Sequence, residues 1–271
     1  MAARVGIFDS GVGGLSVVAA LHRHQPSLDI TYVADTAFFP YGGRDAAEVA
    51  ERARYLAKML VARDVDALVV ACNTASSAAL ELLREEFDLP IVGMEPPLKP
   101  AVEASRSGVV AVLATPGTAA GERMARLHER FGSEKQVHVL PMPGLADLVE
   151  AGEVEGDRVE AMIRTALAEP LGAGLDALAL GCTHYGFLRP VLSRLLPEDV
   201  RVIDAADPVA RRTRAVLAEL GFDPDAAGEA REVLCYATGD PAGLEATIEG
   251  LRRGGAQLPA LTVGRPALET A

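Results

Sequence analysis

Short apolar runs alternate along the chain with longer stretches in which apolar residues recur every three or four positions, the pattern of strands interleaved with helices around a largely parallel sheet. The runs predict strands at Val5–Asp9, Ile30–Ala34, Ala67–Ala71, Ile91–Gly93, Val109–Ala114, Val137–Leu140, Ala177–Leu180, Val200–Asp204 and Glu232–Ala237, with helices after nearly all of them. The clearest helix starts near Asp45. There Ala46, Val49, Ala50, Ala53, Leu56, Ala57, Leu60 and Val61 make one apolar stripe, and Glu48, Glu51, Arg52 and Lys58 make a wet face. Its expected role is packing alone.

Two of these strands run into near-copies of each other. Asp66-Ala67-Leu68-Val69-Val70-Ala71-Cys72-Asn73-Thr74 is echoed by Asp176-Ala177-Leu178-Ala179-Leu180-Gly181-Cys182-Thr183-His184, at an offset of 182 − 72 = 110. Val5–Ser10 and Val110–Thr115 echo each other as well, each a strand ending at a hydroxyl residue. A period this long suits two similar α/β domains with mostly parallel sheets, whose carboxyl strand ends face one cleft. The expected bounds are 1–95 with 206–271 for the Cys72 side and 96–205 for the Cys182 side. The chain would cross at Glu95-Pro96-Pro97-Leu98-Lys99-Pro100, where prolines resist helix and sheet interiors, and again near Ala205–Pro208.

Free cysteine is among the most buried residue types, so a lone Cys at a strand end is more often a core residue than a catalyst. Cys72 and Cys182 differ from that case. Each stands where an apolar run gives way to polar residues, and each precedes a helical segment whose amino terminus favours a thiolate. Cys235, inside Val233-Leu234-Cys235-Tyr236, has no such setting and is expected to be structural.

With 271 residues and 49% hydrophobic content the chain can build a substantial core, and no apolar stretch approaches the length of a membrane span. A formal charge of −12 disfavours nonspecific binding to nucleic acid or anionic membrane. Three cysteines and the absence of a secretory leader fit free thiols in a cytoplasmic, reducing setting. The composition admits a homodimer without requiring one.

Asp9-Ser10-Gly11-Val12-Gly13-Gly14 closes the first strand with glycines that let backbone approach a ligand and amides that can receive a carboxylate. The spacing is not the G-x-G-x-x-G of a dinucleotide site, and no P-loop lysine follows. After the second strand, Phe38 and Phe39 fit a lid, a subunit contact or a pocket wall, while Tyr41 and Gly42 offer a hydroxyl and an amide. His184 stands two residues from Cys182.

Two thiols facing one carbon from opposite sides form a two-base site: one removes a proton, the other returns one to the opposite face. Asp9 and His184 are placed to poise them. Ser10, Asn73, Thr74 and Thr183 are placed to hold a substrate carboxylate while a carbanion forms in a dry cleft. No cofactor is expected. Of the three lysines, Lys58 lies on an amphipathic helix, Lys99 among prolines and Lys135 in a polar loop, none suited to a pyridoxal Schiff base; no metal-ligand spacing occurs.

The blocks Phe8-Asp9-Ser10-Gly11-Val12-Gly13-Gly14-Leu15, Asp35-Thr36-Ala37 with Pro40-Tyr41-Gly42, Ala71-Cys72-Asn73-Thr74-Ala75, Gly181-Cys182-Thr183-His184-Tyr185 and Tyr236-Ala237-Thr238-Gly239-Asp240-Pro241 resemble, in order, those of cofactor-independent bacterial glutamate racemase. The resemblance spans nearly the whole chain. It implies glutamate as the small-molecule substrate, Cys72 and Cys182 as the bases, and Asp9 and His184 as their supporters. It further implies Ser10, Tyr41, Gly42, Asn73, Thr74 and Thr183 as substrate contacts, Glu150 as an acid near the site, and D-glutamate for peptidoglycan as the product's use. Thr115 and Thr118 keep a family pattern only in part, and their roles stay unassigned. A relative acting on aspartate, a single-cysteine malonate decarboxylase and a noncatalytic binding protein are the alternatives, the last two having no need of paired cysteines.

Overall fold

The computed structural model describes residues 2–223, 226 and 228–265. Its ten strands among those residues are β1 Arg4–Asp9, β2 Asp29–Ala34, β3 Ala67–Val70, β4 Ile91–Val92, β5 Val109–Ala114, β6 Gln136–Pro141, β7 Ala177–Leu180, β8 Arg201–Ile203, β9 Val233–Ala237 and β10 Leu261–Gly264. The helices are α1 Leu15–His24, α2 Ala46–Val61, α3 Asn73–Glu86, α4 Leu98–Ala104, α5 Pro116–Ala120, α6 Glu122–Leu127, α7 Leu145–Glu150, α8 Asp157–Gly172, α9 Arg189–Leu195, α10 Ala206–Glu219 and α11 Pro241–Arg253. A π-helical turn covers His128–Gly132 and a 3-10 helix Thr183–Leu188.

The strands form two all-parallel sheets, ordered β10-β9-β2-β1-β3-β4 and β6-β5-β7-β8. The second repeats the β2-β1-β3-β4 part of the first, down to the register. Val5 pairs with Ala67, and Val110 pairs with Ala177; the steps, 110 − 5 = 105 and 177 − 67 = 110, are the offsets seen along the sequence. Successive residues of the central strands serve opposite faces, as full burial of a parallel sheet demands. Val5 and Ile7 pack into one apolar cluster and Phe8 into another; Ala111 and Leu113 join the cluster of Ile7, so that both sheets share it.

The chain leaves the first sheet after β4 and returns through α10, whose Asp207 accepts a 2.7 Å hydrogen bond from His24 of α1. The proline-rich crossing is partly helical: α4 starts at Leu98 and takes Lys99 and Pro100 into its first turn, where a missing N–H costs little. The helical segment expected after Cys182 is a 3-10 helix, with Gly186 inside it. Strand β10 is an addition to the predicted strands, because four residues of mixed character carry no period of their own. Residues 1, 224, 225, 227 and 266–271 of the expected first unit lie outside the described residues.

The aspartate that opens each echoed block has a structural task. Asp66 Oδ2 accepts the amide of Arg4 at 2.7 Å, pinning the start of β1. Asp176 accepts from Ser105 Oγ at 2.5 Å, Arg106 N at 2.7 Å and Ser107 N at 2.8 Å, pinning the approach to β5. Partial burial alone would raise the Asp176 carboxyl, but the donors of Ser105, Ser107 and Arg106 outweigh it and hold the group at about 2. A carboxyl depressed on folding stabilises the protein above its unfolded pKa and loses that contribution as pH falls through the folded one. Asp176→Asn is therefore expected to cost about 1 kcal/mol near neutral pH, allowing for solvent screening of a partly exposed group. Urea denaturation should show the deficit shrinking below pH 4 toward pH 2; a deficit independent of pH would contradict this account.

Candidate active site

The carboxyl ends of both sheets border one cavity of about 200 Å³. Cys72 follows β3 with φ −136° and ψ 125°, Cys182 follows β7 with φ −141° and ψ 136°, and each is the residue before its helical segment. Equivalent strands in equivalent register thus end in equivalent backbone conformations. Both sulfurs line the cavity, and both residues are buried, 5% and 8% exposed.

Asp9, at the end of β1, lies under the cavity wall between them. Fully buried, it accepts Ser10 N at 2.6 Å and Ser10 Oγ at 3.2 Å on one oxygen, and Thr183 Oγ1 at 3.0 Å on the other. The thiol of Cys72 points to Ser10 Oγ at 3.8 Å. Burial pushes the Cys72 thiol well up, the charge of Asp9 adds to that, and the Ala75 amide in the first turn of α3 opposes it. Burial raises Asp9 as well, against the nearby His184.

On the other side, His184 Nδ1 lies 3.7 Å from Cys182 Sγ and Nε2 lies 2.9 Å from Glu150 Oε2, which also accepts the Val12 amide at 2.8 Å. Burial by itself would lower the pKa of His184. The hydrogen-bonded Cys182 and Glu150 overcome that and hold it well above the usual imidazole range. The chain of contacts Glu150–His184–Cys182 has the orienter–acid/base–sulfur form of nucleophilic cysteine sites. It exists because the turn after β1 is bare: a Cβ on Gly13 would collide with His184, Thr183 and Asp9, and one on Gly11 with the Glu150 carboxylate. Tyr32 locks that turn by donating to the Gly11 carbonyl.

Ser10, Tyr41, Gly42, Asn73, Thr74, Thr183 and His184 also line the cavity, and no Lys or Arg is among the described residues that do so. Asn73 is 4% exposed, and both polar atoms of its side chain lack a partner. A buried amide left unpaired costs about 1–3 kcal/mol, which a bound polar ligand would relieve. Thr74 Oγ1 faces Thr118 Oγ1 at 3.2 Å and Thr115 Oγ1 at 3.4 Å, a hydroxyl cluster drawn from both halves.

Two sequence expectations need correction. The Tyr41 hydroxyl proton is not free for a ligand: it goes to Asp35 at 2.6 Å, although Tyr41 lines the cavity. Nor is α2 merely a packing helix with Arg52 in water. Arg52 reaches the fully buried Asp35 with Nε at 2.8 Å and Nη2 at 2.5 Å, and Thr238 Oγ1 donates to it as well at 2.7 Å. An isolated buried carboxylate is untenable, so these donors are the condition for Asp35 and for the loop that follows it. That loop carries Phe39, a cavity wall whose ring lies 5.5 Å from that of His184.

The sequence reading assigned nothing to Thr115, Thr118, or the 142–147 segment, which supplies Met142, Pro143, Gly144, Ala146 and Asp147 to the cavity. The internal repeat held the signal: β6 corresponds to β2, so the loop after β6 should cover the cavity as the loop after β2 does. Among the described residues, no group of three or more His, Cys, Asp or Glu is arranged to hold a metal, and no helix is long and apolar enough to cross a membrane.

The profile of the Asp/Glu/Hydantoin racemase family matches residues 15–213. Glutamate racemase of Stutzerimonas stutzeri is 46% identical over 241 residues, covering 89% of this chain and 90% of that protein. The enzyme of Pseudomonas paraeruginosa is 47% identical over 216 residues, 79% of this chain and 82% of its own. Among solved structures, Escherichia coli glutamate racemase in complex with L-glutamate and the activator UDP-MurNAc-Ala superposes with a TM-score of 0.82 at 34% identity, covering 98% of this chain and 99% of that one. The Francisella tularensis enzyme in complex with D-glutamate gives 0.79 at 27% identity, covering 98% of each. With its paired thiols, this fold and relatives of this closeness, the chain is an isomerase that belongs to the Asp/Glu/Hydantoin racemase family, among the glutamate racemases.

Proposed function

We propose that Cys72 and Cys182 interconvert L- and D-glutamate as an opposed acid/base pair, supplying D-glutamate in the cytoplasm for peptidoglycan. The observation that carries this reading is the cavity wall itself, where two cysteines at register-equivalent strand ends line one small space. The division of labour follows from their neighbours. Cys72, pushed up by burial and by Asp9, rests as a thiol, while the imidazolium of His184 supports negative charge on Cys182. In one direction the Cys182 thiolate takes the Cα proton and the Cys72 thiol gives its proton to the opposite face, leaving the charges exchanged; the other direction runs in reverse. Asp9 and His184, each touching its half of the site, exchange the protons that reset the pair.

The substrate carboxylates meet neutral donors, since the described residues of the wall include no Lys or Arg. The unpaired Asn73 amide, the first turn of α3, the Gly42 backbone and the Thr74–Thr115–Thr118 cluster supply them, while Ser10 and Thr183, whose hydroxyl protons go to Asp9, line the same wall. We infer the lobes to be 1–95 with 206–271 and 96–205, meeting at this cavity.

Alanine at Cys72 or at Cys182 should each lower kcat/KM by on the order of 10²–10⁴, the usual worth of general acid–base catalysis. Enantiomers have equal free energy, so the loss must be the same in both directions; near-normal turnover in either variant would sink the two-thiol mechanism. Donors spread over both halves suit two carboxylates separated by the longer side chain. Glutamate should be preferred over aspartate by on the order of 10⁴ in kcat/KM, because a shorter substrate leaves buried donors unpaired. Equal values, or preference for aspartate, would reassign the substrate and leave the thiol chemistry standing.

The Glu150–His184 contact makes a prediction about pH. Glu150→Gln removes a charge that holds His184 protonated, so burial reasserts itself and the imidazolium loses its proton at lower pH. The alkaline limb of kcat/KM should therefore move down in pH relative to the wild type, with activity best preserved on the acid side. An unmoved or raised limb would show that protonated His184 is not required.

A further inference from the structure

Helix α7 ends at Glu150 in a tight turn. Gly152 adopts φ 78°, its N–H meets Val149 O at 2.9 Å, Glu153 N meets Leu148 O at 2.8 Å and Ala151 N meets Asp147 O at 3.0 Å. This arrangement, with glycine in the left-handed conformation, satisfies the helix-end carbonyls of Asp147, Leu148 and Val149. The carbonyl of Glu150 itself is left for a side chain. Thr247 Oγ1, on α11, donates to it at 2.9 Å, while also facing Gly243 O of its own helix at 3.1 Å.

The approach is close because two glycines meet. A Cβ on Gly250 would stand 3.0 Å from Gly152 Cα and 3.1 Å from Gly152 O, backbone atoms that have no rotamer to change. The turn leading into α11 is tied to the other half of the site through Thr238 and the buried Asp35. The helix thus spans from the loop beside Tyr41 to the residue whose carboxylate holds His184.

We infer that Thr247 is a positioning residue for proton transfer at Cys182: it fixes the backbone of Glu150 and, through it, the 2.9 Å contact of Glu150 with His184. Touching neither substrate nor sulfur, it acts on one of the two half-reactions, since the neighbours of Cys72 are Ser10 and Asp9. The inference rests on the two-thiol reading above.

Thr247→Val keeps the shape and removes the hydroxyl; Thr247→Ser keeps the hydroxyl. Both are to be compared with the wild type in kcat, KM and primary isotope effects, using Cα-deuterated L- and D-glutamate in separate runs. The valine variant should lose about 10-fold in kcat with little change in KM, a displacement well under an ångström being enough for that. Its isotope effect should rise for the enantiomer deprotonated by Cys182, because that step becomes more rate-limiting. It should fall for the other, whose deprotonation by Cys72 becomes less so. The serine variant should restore both. Isotope effects do not depend on the fraction of folded enzyme, so lower activity with both effects unchanged would mean a structural role and overturn the inference. Wild-type kinetics in Thr247→Val would overturn it too. A wild type inert toward glutamate would overturn the underlying reading together with the inference, whereas an active wild type with unshifted isotope effects in the variant would overturn the inference alone.

Discussion

Charge kept out of water needs a partner, and the site of this protein is organised by that need. A sulfur that exchanges a proton with carbon has to work in a dry cavity, yet dryness raises the cost of every ion around it. Asp9, Asp35 and His184 are almost wholly buried, and each is held by specific donors or acceptors drawn from distant parts of the chain. Thr183 crosses 174 residues to reach Asp9, Thr238 crosses 203 to reach Asp35, and Glu150 reaches back 138 residues to the Val12 amide. The Thr183–Asp9 and Glu150–Val12 contacts join the segments that carry the two sheets, and Thr238–Asp35 joins the late part of the chain to the early part of the first.

Duplication explains why the two cysteines share one cavity. Two sheets with the same strand order and register present their third strands, β3 and β7, to one cavity, and the second residue after each is a cysteine. The halves have diverged around that frame. Cys72 has a hydroxyl and a carboxylate for neighbours and a fourteen-residue helix behind it; Cys182 has an imidazole and a 3-10 turn. Asymmetric surroundings on a symmetric scaffold give the two sulfurs different neighbours, a carboxylate near Cys72 and an imidazole near Cys182, the difference on which the proposed alternation of proton transfer draws.

The proposed recognition of an anion here would work without a cation. Among the described residues, a chain of net charge −12 brings no Lys or Arg to its cavity and instead supplies an amide, hydroxyls and helix-end N–H groups. Neutral donors leave the electrostatics of the thiol pair to Asp9, His184 and Glu150, which a guanidinium in the same small space would dominate.

What the sequence determined by itself were the features with a local or repeating signature. Strand positions follow from apolar runs, the parallel α/β class from their alternation with helices, and the pairing of Cys72 with Cys182 from an offset that any duplication preserves. Serine, asparagine and threonine beside those cysteines were legible because they adjoin a recognisable strand end. Only the tertiary structure decided which buried groups satisfy each other. Arg52 looks like any exposed arginine on an amphipathic helix until Asp35 comes to lie beneath it, and Tyr41 offers a hydroxyl to a ligand until the same aspartate takes it. Thr247 and Gly250 have no motif at all; their meaning lies in the end of a helix nearly a hundred residues earlier. Strand β10 exists because β9 offers it an edge, not because four residues demand it. Hydrophobic periodicity is written along the chain, whereas the partner of a buried charge is set by where the fold brings the chain back, and no local pattern encodes that.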